Sequence, residues 1–418
     1  MLLGCIADDL TGATDLAVNL TREQWSVIQV NGVPPEDLEL PDADAFVVAL
    51  KSRTIVAAQA IDQSLAALAW LQARAAPRIY FKYCSTFDST AQGNIGPVAE
   101  ALQAALNAGI VPTTPAYPRN GRTVYLGHLF VNDVLLSDSG MRDHPLTPMT
   151  DANLVRVLGA QSTGRVGLAR LADVAAGEKR LRECFDALAA AGCRHAIIDA
   201  IDDAHLVVAG GVCRDYPLTA GGAGLAMGIA RALPRQSAGR LSAWIAPPNG
   251  TRVAWLSGSC SEATRAQLAE VRDRVPTFRI DPLALDADPS VVMRVAADAL
   301  AASASGPILV YATADPGEVL AAQTVLGAQR AATIVEEAFR RVARTLADGG
   351  VAAFVVAGGE TSGAVAEELH VLALAIGPEI DPGVPWTRAL GEEQLWLALK
   401  SGNFGGRDFF RKATAALT

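Results

Sequence analysis

No uninterrupted apolar stretch approaches the ~18 residues that a membrane-spanning helix needs. Residues 1–20 carry three aspartates where a secretory leader would carry a basic start and an apolar core. Cysteine is sparse and dispersed: the six, at positions 5, 84, 184, 193, 213 and 260, form no C-x-x-C pair and no metal-like spacing with the five histidines. A reduced, cytoplasmic protein with no membrane partner is expected. Charged residues make up only 19% of the chain and sum to −9, which excludes a broad nucleic-acid face but leaves room for a local basic pocket that takes a phosphorylated small molecule. Familiar signatures are missing too. Lys51-Ser52 and Lys400-Ser401 are each preceded by Leu, where a Walker A loop demands Gly. No G-x-G-x-x-G follows the first apolar run, and Ser257-Gly258-Ser259-Cys260-Ser261 lacks the glycines that flank a hydrolase nucleophile.

What is present is apolar material, at 50% of the residues, in a chain of 418. That exceeds the roughly 250–300 residues at which a single core stops growing, so two domains are expected and disorder is not. Short apolar runs alternate with segments of helical spacing, which predicts α/β architecture: two domains, each a largely parallel sheet flanked by helices. We place a first domain at 1–235, a Pro/Ser/Gly-rich linker at 236–250 and a second domain at 251–418. Strands are expected at 26–31, 45–50, 78–83, 165–169, 195–199, 252–256, 277–280, 307–312, 352–357 and 394–399. Helices are expected at 56–73, 95–106, 178–191, 262–272, 291–302, 326–347, 362–369 and 406–417. The segment 111–150, punctuated by Pro, Asn and Gly, reads as a long functional insertion with one strand at 123–126. The Gly-rich run 219–232 reads either as an anion loop leading into a helix or as close helix packing by small residues.

The chain opens on Leu2-Leu3-Gly4-Cys5-Ile6-Ala7, a strand that stops at Asp8 and Asp9 before a helix begins. In open α/β sheets ligands bind beyond the carboxyl ends of strands, so both carboxylates stand where a substrate would. A helix cap accounts equally well for Asp9 alone. Thr11, Arg53, Lys82, Ser85, Asp88 and Ser89 follow strand ends of the same half and supply hydroxyls, acceptors and cations. A polyhydroxy acid calls for that mixture, with one carboxylate as general base; Asp8 is preferred for the base, and Asp9 is then hydroxyl- or metal-directed. In the second half, three small polar loops end strands and precede helices: 257–261, 357–363 and 400–406. Such loops expose N–H groups to phosphate, and three together suit a nucleotide. His144 is the best placed of the scattered histidines, and Trp255, Trp386 and Trp396 are expected in the core.

The segments Ala7-Asp8-Asp9-Leu10-Thr11-Gly12-Ala13, Phe81 to Thr90, Gly358-Gly359-Glu360-Thr361-Ser362-Gly363 and Lys400-Ser401-Gly402-Asn403-Phe404-Gly405 resemble the four-carbon acid sugar kinase family, in the family's order and along essentially the whole chain. Cys84-Ser85-Thr86-Phe87-Asp88-Ser89-Thr90 and the Lys-Ser-Gly-Asn-Phe-Gly ending resemble the 3-oxo-tetronate 4-kinase branch. Gln92 stands where the D-threonate and D-erythronate kinases usually carry Arg. The resemblance implies a sugar-acid-binding first domain and an ATP-binding second domain; the active site is then expected in the interdomain cleft, with Mg2+ bridging the ATP phosphates. It assigns Asp8, Asp9 and the 82–89 block to the acid. Ser257, Gly358, Gly359, Glu360, Thr361 and Gly402 match nucleotide contacts, with Ser259 and Asn403 on the same loops. The partners implied are the acid and ATP, without nucleic acid; a homodimer is compatible. The alternatives are a threonate or erythronate kinase of the same family and, more distantly, a sugar-acid binding protein or sensor without turnover.

Overall fold

The computed structural model describes residues 1–144, 147–233, 244–391 and 393–417, and divides into two compact units, Met1–Leu241 and Ser242–Thr418. Residues 234–243, which include the start of the expected linker, lie outside the described residues, as do 145 and 146 in the expected insertion.

In the first unit the strands are β1 (Leu3–Ala7), β2 (Val27–Asn31), β3 (Ala45–Ala49), β4 (Ile79–Lys82), β5 (Val111–Thr114), β6 (Arg122–Tyr125), β7 (His128–Val131), β8 (Val134–Leu135), β9 (Arg165–Ala169), β10 (Cys193–Ile198) and β11 (Leu218–Gly221). Eight of them form a wholly parallel sheet in the order β2-β3-β1-β4-β11-β5-β10-β9. β1 and β3 are buried along their whole length, as continuous apolar strands must be when helices cover both faces. From β1 the chain moves to β2 and β3 on one side and then crosses to β4 on the other. The carboxyl ends of β1 and β4 therefore flank a topological switch point, where such sheets bind ligands. Ala7 lies in register with Ala49 and with Lys82, so the residues that follow β1 and β3 and the end of β4 converge there.

Two expectations for this unit need correction. The segment from 111 does not begin as an insertion: Val111–Thr114 is the buried strand β5, hidden in the sequence by Pro112 and two threonines. Only afterwards does the chain leave the main sheet, in the three-stranded antiparallel sheet β6-β7-β8. The Gly-rich run begins as strand, with β11 set between β4 and β5. Its glycines then serve helix packing: a Cβ on Gly228 would lie 2.0 Å from the Leu206 carbonyl oxygen, and one on Gly210 would lie 2.0 Å from the Gly228 carbonyl carbon. The helices Asp203–Cys213 and Ala223–Ala232 thus touch backbone to backbone, and the packing reading stands.

The second unit contains β12 (Val253–Ser257), β13 (Thr277–Arg279), β14 (Ile308–Tyr311), β15 (Ala353–Ala357), β16 (Ala373–Asp381), β17 (Val384–Ala389) and β18 (Trp396–Lys400). β13-β14-β12-β15-β18 are parallel, and the hairpin β16-β17, unforeseen in the sequence, joins β18 antiparallel. The switch point here lies between β12 and β15, because β13 and β14 stack on one side of β12 and β15 on the other. The helix expected at 326–347 is present as Ala328–Asp348, and an unforeseen helix, Pro316–Leu326, precedes it, separated by Gly327, whose φ is 81°. Trp255, Trp386 and Trp396 are at most 3% exposed in a core shared with Phe409 and Phe410, as expected. Among the described residues no helix is long and apolar enough to cross a membrane.

Candidate functional site

Each unit gathers its polar side chains at its own switch point. In the first, β1 delivers Asp8, only 5% exposed, and Asp9, which caps the helix Leu10–Arg22. The loop after β3 returns Arg53 to the same place: its Nε and Nη2 donate to Asp8 Oδ2 and Oδ1 at 3.0 and 2.8 Å, and Nη2 also donates to Asp9 Oδ1 at 2.6 Å. Asp88 Oδ2 lies 3.6 Å from Arg53 Nη1. Backbone bonds fix the loop, since Ser52 N and Arg53 N both donate to the Asp8 carbonyl. Asn94, at the start of the helix Ile95–Ala105, donates from its amide to the carbonyls of Ser52, Ile55 and Arg53 at 2.7, 2.8 and 3.3 Å.

Lys82 closes β4, is 2% exposed and donates to the Tyr83 carbonyl at 2.9 Å. A Cβ on Gly12, in the first turn of the helix, would lie 2.2 Å from Asp9 Oδ1 and 3.1 Å from Lys82 Nζ, so glycine there leaves room for both charges. Burial raises the Asp8 carboxyl above the usual carboxylate range, although Arg53 opposes it. Burial also acts to raise Asp9, but Arg53, Lys82, the Thr11 hydroxyl and the Gly12 N–H outweigh it and hold Asp9 low. Thr11 Oγ1 donates to Asp9 Oδ2 at 2.8 Å. With Asp8, Asp9 and Asp88 against Arg53 and Lys82, three formal negative charges face two positive ones.

The 84–90 loop carries a strained turn: Phe87 and Asp88 have φ of 66° and 39°, a left-handed pair without glycine. The turn buries the Phe87 ring against Tyr83, centroids 5.3 Å apart, and leaves Asp88 on the Arg53 side with Thr86 Oγ1 donating to it at 2.6 Å. Ser85 is half-buried on this loop. Ser89 takes a different part from the one expected: its hydroxyl donates to Gln161 Oε1 at 3.0 Å, and Gln161 holds the loop through Thr90 and Gly96. His144 accepts from Thr147 N within its own loop.

In the second unit the three expected loops meet. Ser257, at the end of β12, bonds Thr313 Oγ1 at 2.7 Å, and the N–H groups of Gly258 and Ser259 donate to the Ala357 carbonyl at 3.0 and 3.1 Å. Those donors are thus used within the protein. Gly358 adopts φ 125° and donates to the Lys400 carbonyl. The helix Gly359–Glu368 then starts with no side-chain cap, so the N–H groups of Gly359, Glu360 and Thr361 have no intrahelical partner and form an anion-seeking end. Gly359 and Glu360 are exposed, and Thr361 is buried. Gly402 packs so tightly that a Cβ would lie 2.4 Å from Ser259 Oγ; Asn403 is exposed beside it.

Sequence reasoning missed Asn94 and Thr264, and gave Ser261 and Lys400 no role of their own within the loops it named. Asn94 and Ser261 precede helices, which is a legible signal for capping residues. Lys400 is 0% exposed, and burial pulls its ammonium down to about 7. Its signal is a charge set at the end of an apolar strand.

Comparison with known proteins agrees with this division. Residues 3–229 match the sugar-binding N-terminal domain family and residues 254–410 the nucleotide-binding C-terminal domain family. A 3-oxo-tetronate kinase of Burkholderia multivorans is 52% identical over 100% of this chain and 97% of its own length. A Salmonella typhimurium LT2 structure, provisionally described as a tRNA synthase, is 44% identical with a TM-score of 0.88 over 99% of both chains. A Haemophilus influenzae structure is 44% identical with a TM-score of 0.82 over 99% of this chain and 100% of its own. The chain belongs to the 3-oxo-tetronate kinase branch of the four-carbon acid sugar kinases.

Proposed function

We propose that the chain transfers the γ-phosphoryl group of ATP to the 4-hydroxyl of 3-oxo-tetronate, giving 3-oxo-tetronate 4-phosphate and ADP. The observation that carries the reading is 52% identity, over the full chain, to a 3-oxo-tetronate kinase. The charges gathered at the first unit's switch point and the uncapped helix start at the second's support it. In the proposed roles Arg53 meets the acid's carboxylate, while Thr11, Lys82, Ser85 and Asp88 orient its oxygens. Asp8 accepts the proton of the 4-hydroxyl as that oxygen bonds to phosphorus and the bond to the ADP oxygen breaks. Asp9, fixed as a cap, contributes charge and alignment. Ser89 acts through Gln161 rather than by direct contact. The start of the helix Gly359–Glu368 takes the ATP phosphates, with Ser257, Ser259, Gly402 and Asn403 shaping the loops around it. Among the described residues no cluster of three potential metal ligands occurs, so Mg2+ is proposed to enter on the nucleotide, where it neutralises phosphate charge. ATP as the donor sets the work in the cytoplasm.

A coupled ADP-release assay on 3-oxo-tetronate, D-threonate and D-erythronate with ATP and Mg2+ tests the reading. The 3-oxo acid should give the highest kcat/KM. Preference for threonate or erythronate would move the chain to the sister activity. Acid binding in calorimetry, with neither ATP binding nor turnover, would make it a binding protein.

A further inference from the structure

Lys400 ends β18 inside the cluster of nucleotide loops, yet it does not face a ligand. An ammonium has three donors, and all three have partners: Thr264 Oγ1 at 3.0 Å, and the carbonyls of Ser401 and Gly402 at 3.1 Å each. None of these is charged, and the Phe409 ring centroid lies 5.8 Å from the ammonium. This lysine therefore addresses the loop and not the phosphate, unlike the lysine of a Walker A loop.

The point of convergence is the Gly402 carbonyl. Besides Lys400 it accepts from Ser261 Oγ at 2.6 Å and Thr264 Oγ1 at 2.7 Å, and Ser259 Oγ donates in turn to Ser261 at 3.2 Å. Hydroxyls chained to a cation polarise one another. A peptide group is planar and trans, and no cis bond occurs among the described residues, so a carbonyl pinned inward turns the N–H of Asn403 the opposite way. Asn403 is exposed.

We propose that Lys400 is a positioning residue for the nucleotide: with Ser261 and Thr264 it pins the Gly402 carbonyl, and so presents the Asn403 N–H as a fixed donor to the phosphates of ATP. The inference rests on the nucleotide reading of this unit. It also predicts a proton signature. Burial leaves Lys400 titrating near 7, and the uncharged groups that face it, Thr264, Ser401, Gly402 and Phe409, do not offset that burial. Bound polyphosphate should restore its full protonation, so ATP binding at pH 7 takes up about half a proton.

The experiment is calorimetry of Mg2+-ATP with the full chain at pH 7 in buffers of different ionisation enthalpy, joined to steady-state kinetics. Wild type must bind ATP with net proton uptake; failure to bind ATP overturns the nucleotide reading itself. Given binding, Lys400→Met should lose the uptake and raise KM for ATP about tenfold, the loss of one charge-assisted bond, with KM for the acid unchanged. Thr264→Val, which breaks the relay but keeps the cation, should raise KM for ATP likewise, and the double variant should fall short of the sum. An unaltered KM for ATP in both variants, or equal proton uptake in wild type and Lys400→Met, overturns the proposal. Should Lys400→Met fail to fold, Thr264→Val alone decides by its KM.

Discussion

Gly358 and Gly359 are neighbours on which alanine should act with opposite sign. Gly358 sits at φ 125° and ψ 132°, and a Cβ there would lie 3.1 Å from Ser259 N and 3.3 Å from Ser259 Cβ. Such a backbone costs on the order of 1–3 kcal/mol for a residue with a Cβ, and the tight contact adds to it, so Gly358→Ala should cost about 3 kcal/mol. Gly359 is the first helical residue, and a Cβ there meets nothing within 4 Å. Alanine is the better helix former, by up to about 1 kcal/mol in a helix interior and less at its end, so Gly359→Ala should stabilise by roughly 0.5 kcal/mol. The same methyl enters the space in front of the uncapped helix start. Gly359→Ala should therefore be at least as stable as wild type while its KM for ATP rises about tenfold, the acid's KM holding. Thermal unfolding without ligand, read with ADP-coupled kinetics, separates the effects; Gly358→Ala should lower the midpoint by roughly 6–12 °C. A stable Gly359→Ala with an unaltered KM for ATP would refute the phosphate assignment, and equal destabilisation by both changes would refute the local geometry.

Asp8→Asn should lower kcat by about a hundredfold or more, as loss of a general base does, while KM for ATP stays nearly the same; unchanged turnover would remove Asp8 from the chemistry. Asn94→Ala strips the carbonyls of Ser52, Arg53 and Ile55 of a shared donor, so it should cost about 2 kcal/mol and raise KM for the acid but not for ATP; equal shifts in the two KM values would count against it. Stability should also rise with pH from about 7, because the unfolded chain holds the Lys400 proton toward its ordinary pKa of 10.5 while the folded one releases it near 7. The gain is up to about 1.4 kcal/mol per pH unit, so denaturant titrations from pH 7 to 8.5 should show wild type gaining roughly 2 kcal/mol on Lys400→Met. Above that range buried thiols such as Cys5 and Cys213, pushed up by burial, act the other way. The chain has only five lysines, so the Lys400 side-chain resonance can be followed directly; a midpoint above about 9 would defeat this prediction.

Runs such as Ala45-Phe46-Val47-Val48-Ala49 and Ala353-Phe354-Val355-Val356-Ala357 were legible because a strand buried on both faces must be apolar throughout. β5 and β11 were not legible: Pro112 interrupts the β-branched residues of Val-Pro-Thr-Thr, Leu-Thr-Ala-Gly merges into a glycine-rich run, and both are strands because their neighbours pair with them. The hairpin β16-β17 escaped for another reason, since Gly377 and Pro378 interrupt a strand that the pairing carries past them. At the first switch point, Asp8 and Lys82 could be read from charge at strand ends. The bond from Ser89 to Gln161 could not, because it spans 72 positions of sequence and rests on the turn at Phe87 and Asp88. Asn94 was hidden similarly, as an ordinary helix-start residue whose partners lie about forty positions earlier.

Arg53 meets Asp8, Asp9 and Asp88 before any acid arrives. On the proposed reading, binding is then an exchange of counter-ions. A neutral polyol of the same length offers the guanidinium nothing that the three carboxylates do not already supply, whereas an acid displaces one anion with another. The carboxylate set free is next to the hydroxyl to be phosphorylated, so reading the head of the substrate and unmasking the base become a single event. Selectivity for acids over polyols would then reside in turnover as much as in affinity.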